Sequence, residues 1–218
     1  DHVKSFEVIH GTSYDDEIYG ANLAPISFLD IVDTLADGTY GDLDKLGKIE
    51  GYFGGRGNDK IIGREGFDVV GYYVSDEDSN SGILANLTEG LVKDNFGDTD
   101  IVAGVEGVIA TIRDDLLVGN SDSNYFEPKV GNDQVDGRDG YDFVSYSYDH
   151  FDDVGVIVNL SSESKFTTVD GAHLEIFAES ATYLRNGEWE TDIVKNIDHK
   201  KEVYLNSKRA ICNRLYLL

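Results

Sequence analysis

The residues in this chain best suited to chemistry are aspartates that recur behind glycines. Gly54-Gly55-Arg56-Gly57-Asn58-Asp59-Lys60-Ile61-Ile62 runs directly into Gly63-Arg64-Glu65-Gly66-Phe67-Asp68-Val69-Val70-Gly71. The two nonapeptides share one frame: glycine first, aspartate sixth, a β-branched apolar residue eighth. Glycine adopts positive φ at no steric cost, so the first five residues can turn tightly. The carboxylate at position six then points into the turn, beside carbonyls left open by the missing side chains. One acidic oxygen with several carbonyl oxygens is the donor set of a hard cation such as Ca²⁺. The apolar residue at position eight belongs to a very short strand and faces inward.

The frame recurs. In the nonapeptide starting at Gly11, Asp16 and Ile18 fall at positions six and eight. The segment Phe6–Gly20 returns as Val105–Gly119, with Glu7 matched by Glu106, Asp15-Asp16 by Asp114-Asp115 and Gly20 by Gly119. The longest unbroken run covers five nines from Ile101 to Ser145 and carries Glu106, Asp115, Asn124, Asp133 and Asp142 at position six. Asn124 in place of aspartate, and Pro128-Lys129 in place of the glycine pair, predict weak or missing metal at those points.

Between the nonapeptides lies a second kind of segment, also present twice. Phe67–Tyr73 alternates as a half-buried strand does. Gly82–Leu87, Gly90–Val92 and Asp98–Val102 then read as a hairpin or β-meander, with turns at 75–81, 88–90 and 93–99. Tyr141–Ser147, Gly155–Leu160 and Thr191–Val194 repeat three of these strands, with about eighteen extra residues between Ser161 and Glu190. The chain therefore divides into a region 1–198 of two long units, about 6–104 and 105–198, and a divergent tail 199–218. Residues 21–53 break the period and read as an insertion, with a short helix predicted in 26–36. The tail holds much of the positive charge: six of the eighteen Lys and Arg residues fall between Lys195 and Arg214.

These residues resemble the RTX, or haemolysin-type, calcium-binding repeat family, with strong matches over 11–19, 54–71 and 101–145. The resemblance implies an all-β fold: a right-handed parallel β-roll, here with inserted hairpins or meanders. In that family two nonapeptides make one turn and Ca²⁺ sits between stacked loops on each side. Carried onto this chain, the ligands are Asp16, Asp59, Asp68, Asp115, Asp133 and Asp142, with carbonyls near Gly55, Gly57, Gly66, Gly131 and Gly140. Alternate repeats share a side, so Asp115 and Asp133 are expected on one edge, Asn124 and Asp142 on the other. The family further implies a secreted bacterial protein exported by a type I apparatus, disordered in the low-calcium cytosol and folding on Ca²⁺ outside. The four nonapeptides from Ala110 to Ser145 would then supply the continuous core, and docking of the Gly54–Gly71 pair and Gly11–Tyr19 onto it is the alternative to separate blocks.

Composition agrees with a cation-holding protein. Against 18 bases stand 42 acids, a formal charge of −24. That disfavours nucleic acid and anionic membrane, which need basic patches. Glycine is common at 24 and proline scarce at 2, which suits tight turns between paired strands. The single cysteine, Cys212, permits no internal disulfide, so bound metal is the available staple. No run of eighteen apolar residues predicts a transmembrane segment, and no signal peptide is evident. Starting at Asp1 and lacking methionine, the chain reads as a fragment or processed piece.

No catalytic motif emerges. The five histidines form no His-Glu-x-x-His, and no Gly-x-Ser-x-Gly elbow occurs. The Asp149-His150 and Asp152-Asp153 cluster reads as a solvated loop. Tyr72, Tyr73, Tyr146 and Tyr148 read as strand faces, Glu188-Trp189-Glu190 as a packed hairpin. The expected role is a non-catalytic, calcium-stabilised structural module. The alternatives are a calcium-dependent module that binds extracellular polysaccharide or a cell surface, and an accessory part of a secreted polysaccharide-modifying enzyme.

Overall fold

The computed structural model describes residues 8–23, 49–72, 81–146, 156–159, 164–169, 172–176, 179–185 and 188–197. Among these residues all regular structure is strand. The helix predicted in 26–36, the Asp149-His150 cluster, Tyr73, Tyr148, Cys212 and the tail 199–218 lie outside them.

The first unit contains β1 (Val8–His10), β2 (Glu17–Tyr19), β3 (Ile49–Phe53), β4 (Lys60–Ile62), β5 (Phe67–Gly71), β6 (Leu84–Asn86), β7 (Leu91–Lys93) and β8 (Thr99–Ala103). The second contains β9 (Gly107–Ile109), β10 (Leu116–Val118), β11 (Tyr125–Glu127), β12 (Gln134–Asp136), β13 (Phe143–Val144), β14 (Val156–Asn159), β15 (Lys165–Val169), β16 (Ala172–Ile176), β17 (Ser180–Arg185) and β18 (Glu188–Lys195). The chain winds between two sheets. One is wholly parallel, in the order β1-β3-β5-β9-β11-β13. The other runs β2-β4-β8-β7-β6-β10-β12-β18-β17-β14. Because β9 pairs with β5, and β8 with β4, the nonapeptide blocks join in one β-roll.

Position eight builds the core. Ile18, Ile61, Val70, Val108, Leu117, Phe126, Val135 and Val144 are all buried in one cluster between the sheets. Their neighbours at positions seven and nine lie on the opposite strand face, as alternation requires; they are exposed or half-buried in β2, β4 and β12 and buried in β5, β11 and β13.

The meander of the first unit is inserted into the second sheet. Strands β7 and β6 stand between β8 and β10, with β7 antiparallel to both β8 and β6, and β6 pairs parallel with β10. The same plan returns in β18, β17 and β14. The extra residues of the second copy form the β15–β16 hairpin. The Glu188-Trp189-Glu190 stretch lies in the β17–β18 hairpin, Trp189 opposite Leu184.

One boundary needs correction. The insertion expected over 21–53 ends earlier, because β3 already lies in the parallel sheet, bonded to β1 and β5. Counting back nine from Gly54 puts Glu50 at position six and Tyr52 at position eight, and both are buried. This rung is a nonapeptide without its glycines.

Candidate metal centre

The corners between the sheets hold two acid ladders. On the corner leading into the mixed sheet, each position-six amide donates to the carboxylate one rung along. Asp16 N donates to Asp59 Oδ1 at 2.8 Å and Asp59 N to Asp100 Oδ1 at 2.9 Å. Further along, Ile83 N donates to Asp115 Oδ1 at 2.7 Å, Asp115 N to Asp133 Oδ1 at 2.8 Å and Asp133 N to Asp192 Oδ1 at 3.0 Å. The opposite corner carries Glu50, Asp68, Glu106, Asn124 and Asp142. There Asp68 N donates to Glu106 Oε2 at 2.9 Å and Asn124 N to Asp142 Oδ1 at 2.8 Å. Asp115 and Asp133 thus share one edge, and Asn124 and Asp142 the other.

Asp59 and Asp133 each spend one oxygen on a ladder bond, and Asp68 spends one on the Tyr52 hydroxyl at 3.0 Å. The second oxygen of Asp59, Asp68 and Asp133 is buried and accepts no hydrogen bond. Such an atom costs several kcal/mol unless a cation or proton meets it. The metal-free side chains show this demand. Burial pushes the Asp68, Asp100 and Asp115 carboxyls up to about 7. Burial also raises Asp59. It raises Asp133 and Asp192 too, with the charge of Asp192 adding to the rise at Asp133.

Glycine at position one keeps the space open. A Cβ on Gly11 would strike the Gly54 carbonyl oxygen and, at 2.8 Å, Asp16 Oδ2. One on Gly63 would strike the Gly104 carbonyl and the Asp68 side chain, and one on Gly119 the Gly137 carbonyl and Asn124 Oδ1. One on Gly137 would meet the Asn196 carbonyl and Asp142 Oδ2, each at 2.5 Å. Each cradle therefore sets a position-six side chain beside a carbonyl of the next rung, and at Gly11, Gly119 and Gly137 the nearest side-chain atom is its oxygen. Among the described residues no three acid, His or Cys side chains converge as a metal cage, so any ion here must take a mixed carboxylate and carbonyl set. That is the oxygen donor set of Ca²⁺.

The turns are set by φ. Gly57, Gly66, Gly131 and Gly140 at position four have φ of 112°, 138°, 143° and 120°. Gly55 at position two has φ 101°, and Arg64, Lys129 and Arg138 hold that position at 83°, 71° and 74°. The glycines named from sequence are thus turn formers that bring carbonyls of adjacent loops close: a Cβ on Gly55 would meet the Thr12 carbonyl, and one on Gly140 the Asp122 carbonyl.

The sequence reading passed over Glu50, Asp94, Asp100 and Asp192. Asp100 and Asp192 stand one rung beyond Asp59 and Asp133, and each receives a tyrosine hydroxyl, from Tyr72 at 3.0 Å and Tyr146 at 2.9 Å. Their signal is the Thr-Asp-Ile-Val spelling shared by Thr99–Val102 and Thr191–Val194. Both tyrosines are buried.

No helix of the described residues is long and apolar enough to cross a membrane. No curated protein matches the chain. A family model described as the RTX calcium-binding nonapeptide repeat, built of four copies, matches residues 6–22 and 53–70. With the parallel winding, the position-six ladders and the position-eight spine, this match identifies residues 6–22 and 53–70 as RTX calcium-binding nonapeptide repeats.

Proposed function

We propose that this chain is a structural module of a secreted bacterial protein, exported with little structure and folded outside by Ca²⁺. The observation that carries the reading is the set of buried carboxylate oxygens of Asp59, Asp68 and Asp133 that accept no hydrogen bond, on side chains packed against Gly54, Gly63 and Gly131. Parallel rungs repeat at roughly 4.8 Å, and like charges at that spacing inside a protein repel unless a cation lies between them. Asp16, Asp59, Asp68, Asp115, Asp133 and Asp142, with carbonyls of the glycine turns, would hold the ions. Binding free energy then becomes folding free energy, which suits a chain that must be threaded before it folds. The module works by folding and spacing and has no turnover of its own.

A calcium titration followed by far-UV circular dichroism and calorimetry tests this. The strand signal and melting temperature rise with Ca²⁺ and collapse with EGTA. A fold indifferent to both would end the reading.

A further inference from the structure

The loop between β7 and β8 stacks where the Gly54–Asp59 loop would otherwise meet another nonapeptide. Asp98 Oδ2 receives the Gly57 amide at 3.0 Å, Thr99 N donates to Asn58 Oδ1 at 3.1 Å, and Asp100 Oδ1 receives the Asp59 amide. At the start of the loop, Asp94 Oδ1 takes the amides of Phe96, Gly97 and Asp98 at 3.0, 2.8 and 2.7 Å. Asp94 Oδ2 is left buried with no hydrogen-bond partner, on a residue 1% exposed. Asp59 Oδ2, on another residue 1% exposed, is in the same condition and fills the space over Gly54. The two carboxylates are near enough to raise each other's energy, and both act on Tyr72 and Asp100.

The second unit supplies an internal comparison. Asp100 lies opposite Val92, and Asp192 opposite Ala181. One step on, Thr99 faces Lys93 and Thr191 faces Thr182. The next step pairs Asp94 with Asp98 through a backbone bond of 3.1 Å, and Tyr183 with Glu190. Glu190 receives the Gly131 amide, as Asp98 receives that of Gly57. Tyr183 therefore holds the register position of Asp94. Its hydroxyl donates to the Gly131 carbonyl at 2.6 Å and receives the Gly131 amide at 3.1 Å. A neutral hydroxyl can close that corner by giving a proton to a carbonyl. An ionised aspartate has no proton to give and only adds negative charge to the corner.

We propose that Asp94 and Asp59 together hold a Ca²⁺ ion in a site closed by the meander loop instead of a second nonapeptide, and that Tyr183 replaces this ion in the second unit. Loop carbonyls and water complete the six to eight oxygens that Ca²⁺ takes. The site rests on the calcium reading of the repeats but draws half its anchoring carboxylates from outside them.

Crystals of the whole chain grown with Tb³⁺ in place of Ca²⁺ test it by anomalous scattering. Peaks are expected at the Gly11–Gly54 and Gly63–Gly104 stacks, where Asp16 and Asp68 stand beside a carbonyl of the next rung, and a further one between Asp59 and Asp94, with none at Tyr183. No peak at either stack refutes the calcium reading itself. Peaks at the stacks with none at Asp94 refute this site alone. Native mass spectrometry of Asp94→Asn and of Asp94→Tyr, the latter copying the second unit, should count one Ca²⁺ fewer per chain. An unchanged count in a folded variant overturns the proposal, and if neither variant folds the wild-type crystals decide.

Discussion

In the absence of metal, acidification should order this protein instead of unfolding it. Asp68, Asp100 and Asp115 are held up to about 7, against an ordinary value of 3.8, chiefly because they are buried. In each the folded value exceeds the unfolded one. The metal-free fold therefore binds protons more tightly than the unfolded chain does. Its stability grows as pH falls through about 7 and is complete below the unfolded value. Above about 7 that stability is gone, since the buried groups must ionise. A rise from 3.8 to about 7 is worth about 4 kcal/mol for one group. Three such groups together rival the whole stability of an ordinary domain, about 5–15 kcal/mol. Protein freed of metal by dialysis is thus expected to be largely unfolded near about pH 8 and to gain strand signal and a melting transition near about pH 5. Circular dichroism across that range reads the effect. A metal-free chain equally ordered at both ends, or less ordered at the acid end, would refute the argument. With saturating Ca²⁺ the slope reverses, because the proton and the ion compete for the same oxygens. Calorimetry in two buffers of different ionisation enthalpy should then show proton release on binding near neutral pH.

Three further outcomes follow from the same geometry. Replacing Asp115 and Asp133 with alanine removes adjacent carboxylates of one ladder and should lower calcium affinity on the order of tenfold to a hundredfold. Titration calorimetry checks this, and an unchanged affinity would break the register proposed for that edge. Gly54→Ala drives a Cβ into Asp59 Oδ2, whereas a Cβ at Gly97 meets nothing within 4 Å. Gly54→Ala should therefore cost both stability, about 1–3 kcal/mol, and calcium affinity. Gly97→Ala, at φ 100°, should cost only its backbone strain of about 1–2 kcal/mol, as thermal melts at fixed Ca²⁺ will show. Arg138→Gly should stabilise by about 1 kcal/mol, since Arg138 sits at φ 74°. The Asp136 ion pair it forfeits is about half exposed on the arginine side and worth little.

What could be read from sequence, and what could not, divides along the same line as the packing. The position-eight residues were legible because burial between two sheets tolerates only apolar side chains, and Leu117 and Phe126 keep the frame even where the glycines are lost. The third rung, with Glu50 and Tyr52, was missed because it lacks the turn spelling and keeps only its acid and its core residue. Asp94, Asp100 and Asp192 were missed for a different reason. Nothing local says that β8 will lie beside β4, or β18 beside β12, and that non-local pairing alone turns a meander aspartate into a rung of the ladder.

The two halves of each nonapeptide therefore answer to different demands. The apolar eighth residue maintains the winding, and the glycine turn and sixth residue maintain the polar corner. Asn124 shows that they can separate. It keeps the ladder bond to Asp142 and its Oδ1 receives the Asn120 amide at 2.8 Å, yet it brings no charge. The rung stays wound around Phe126, which is fully buried, while its corner loses the charge that makes a cation necessary. Arg64, Lys129 and Arg138 make the same point from the other side, since each adopts the glycine-type φ at position two. A degenerate nonapeptide can thus remain a sound rung and a poor ion site. Calcium dependence should concentrate at the rungs where a buried carboxylate oxygen has no partner, as it does at Asp59, Asp68 and Asp133.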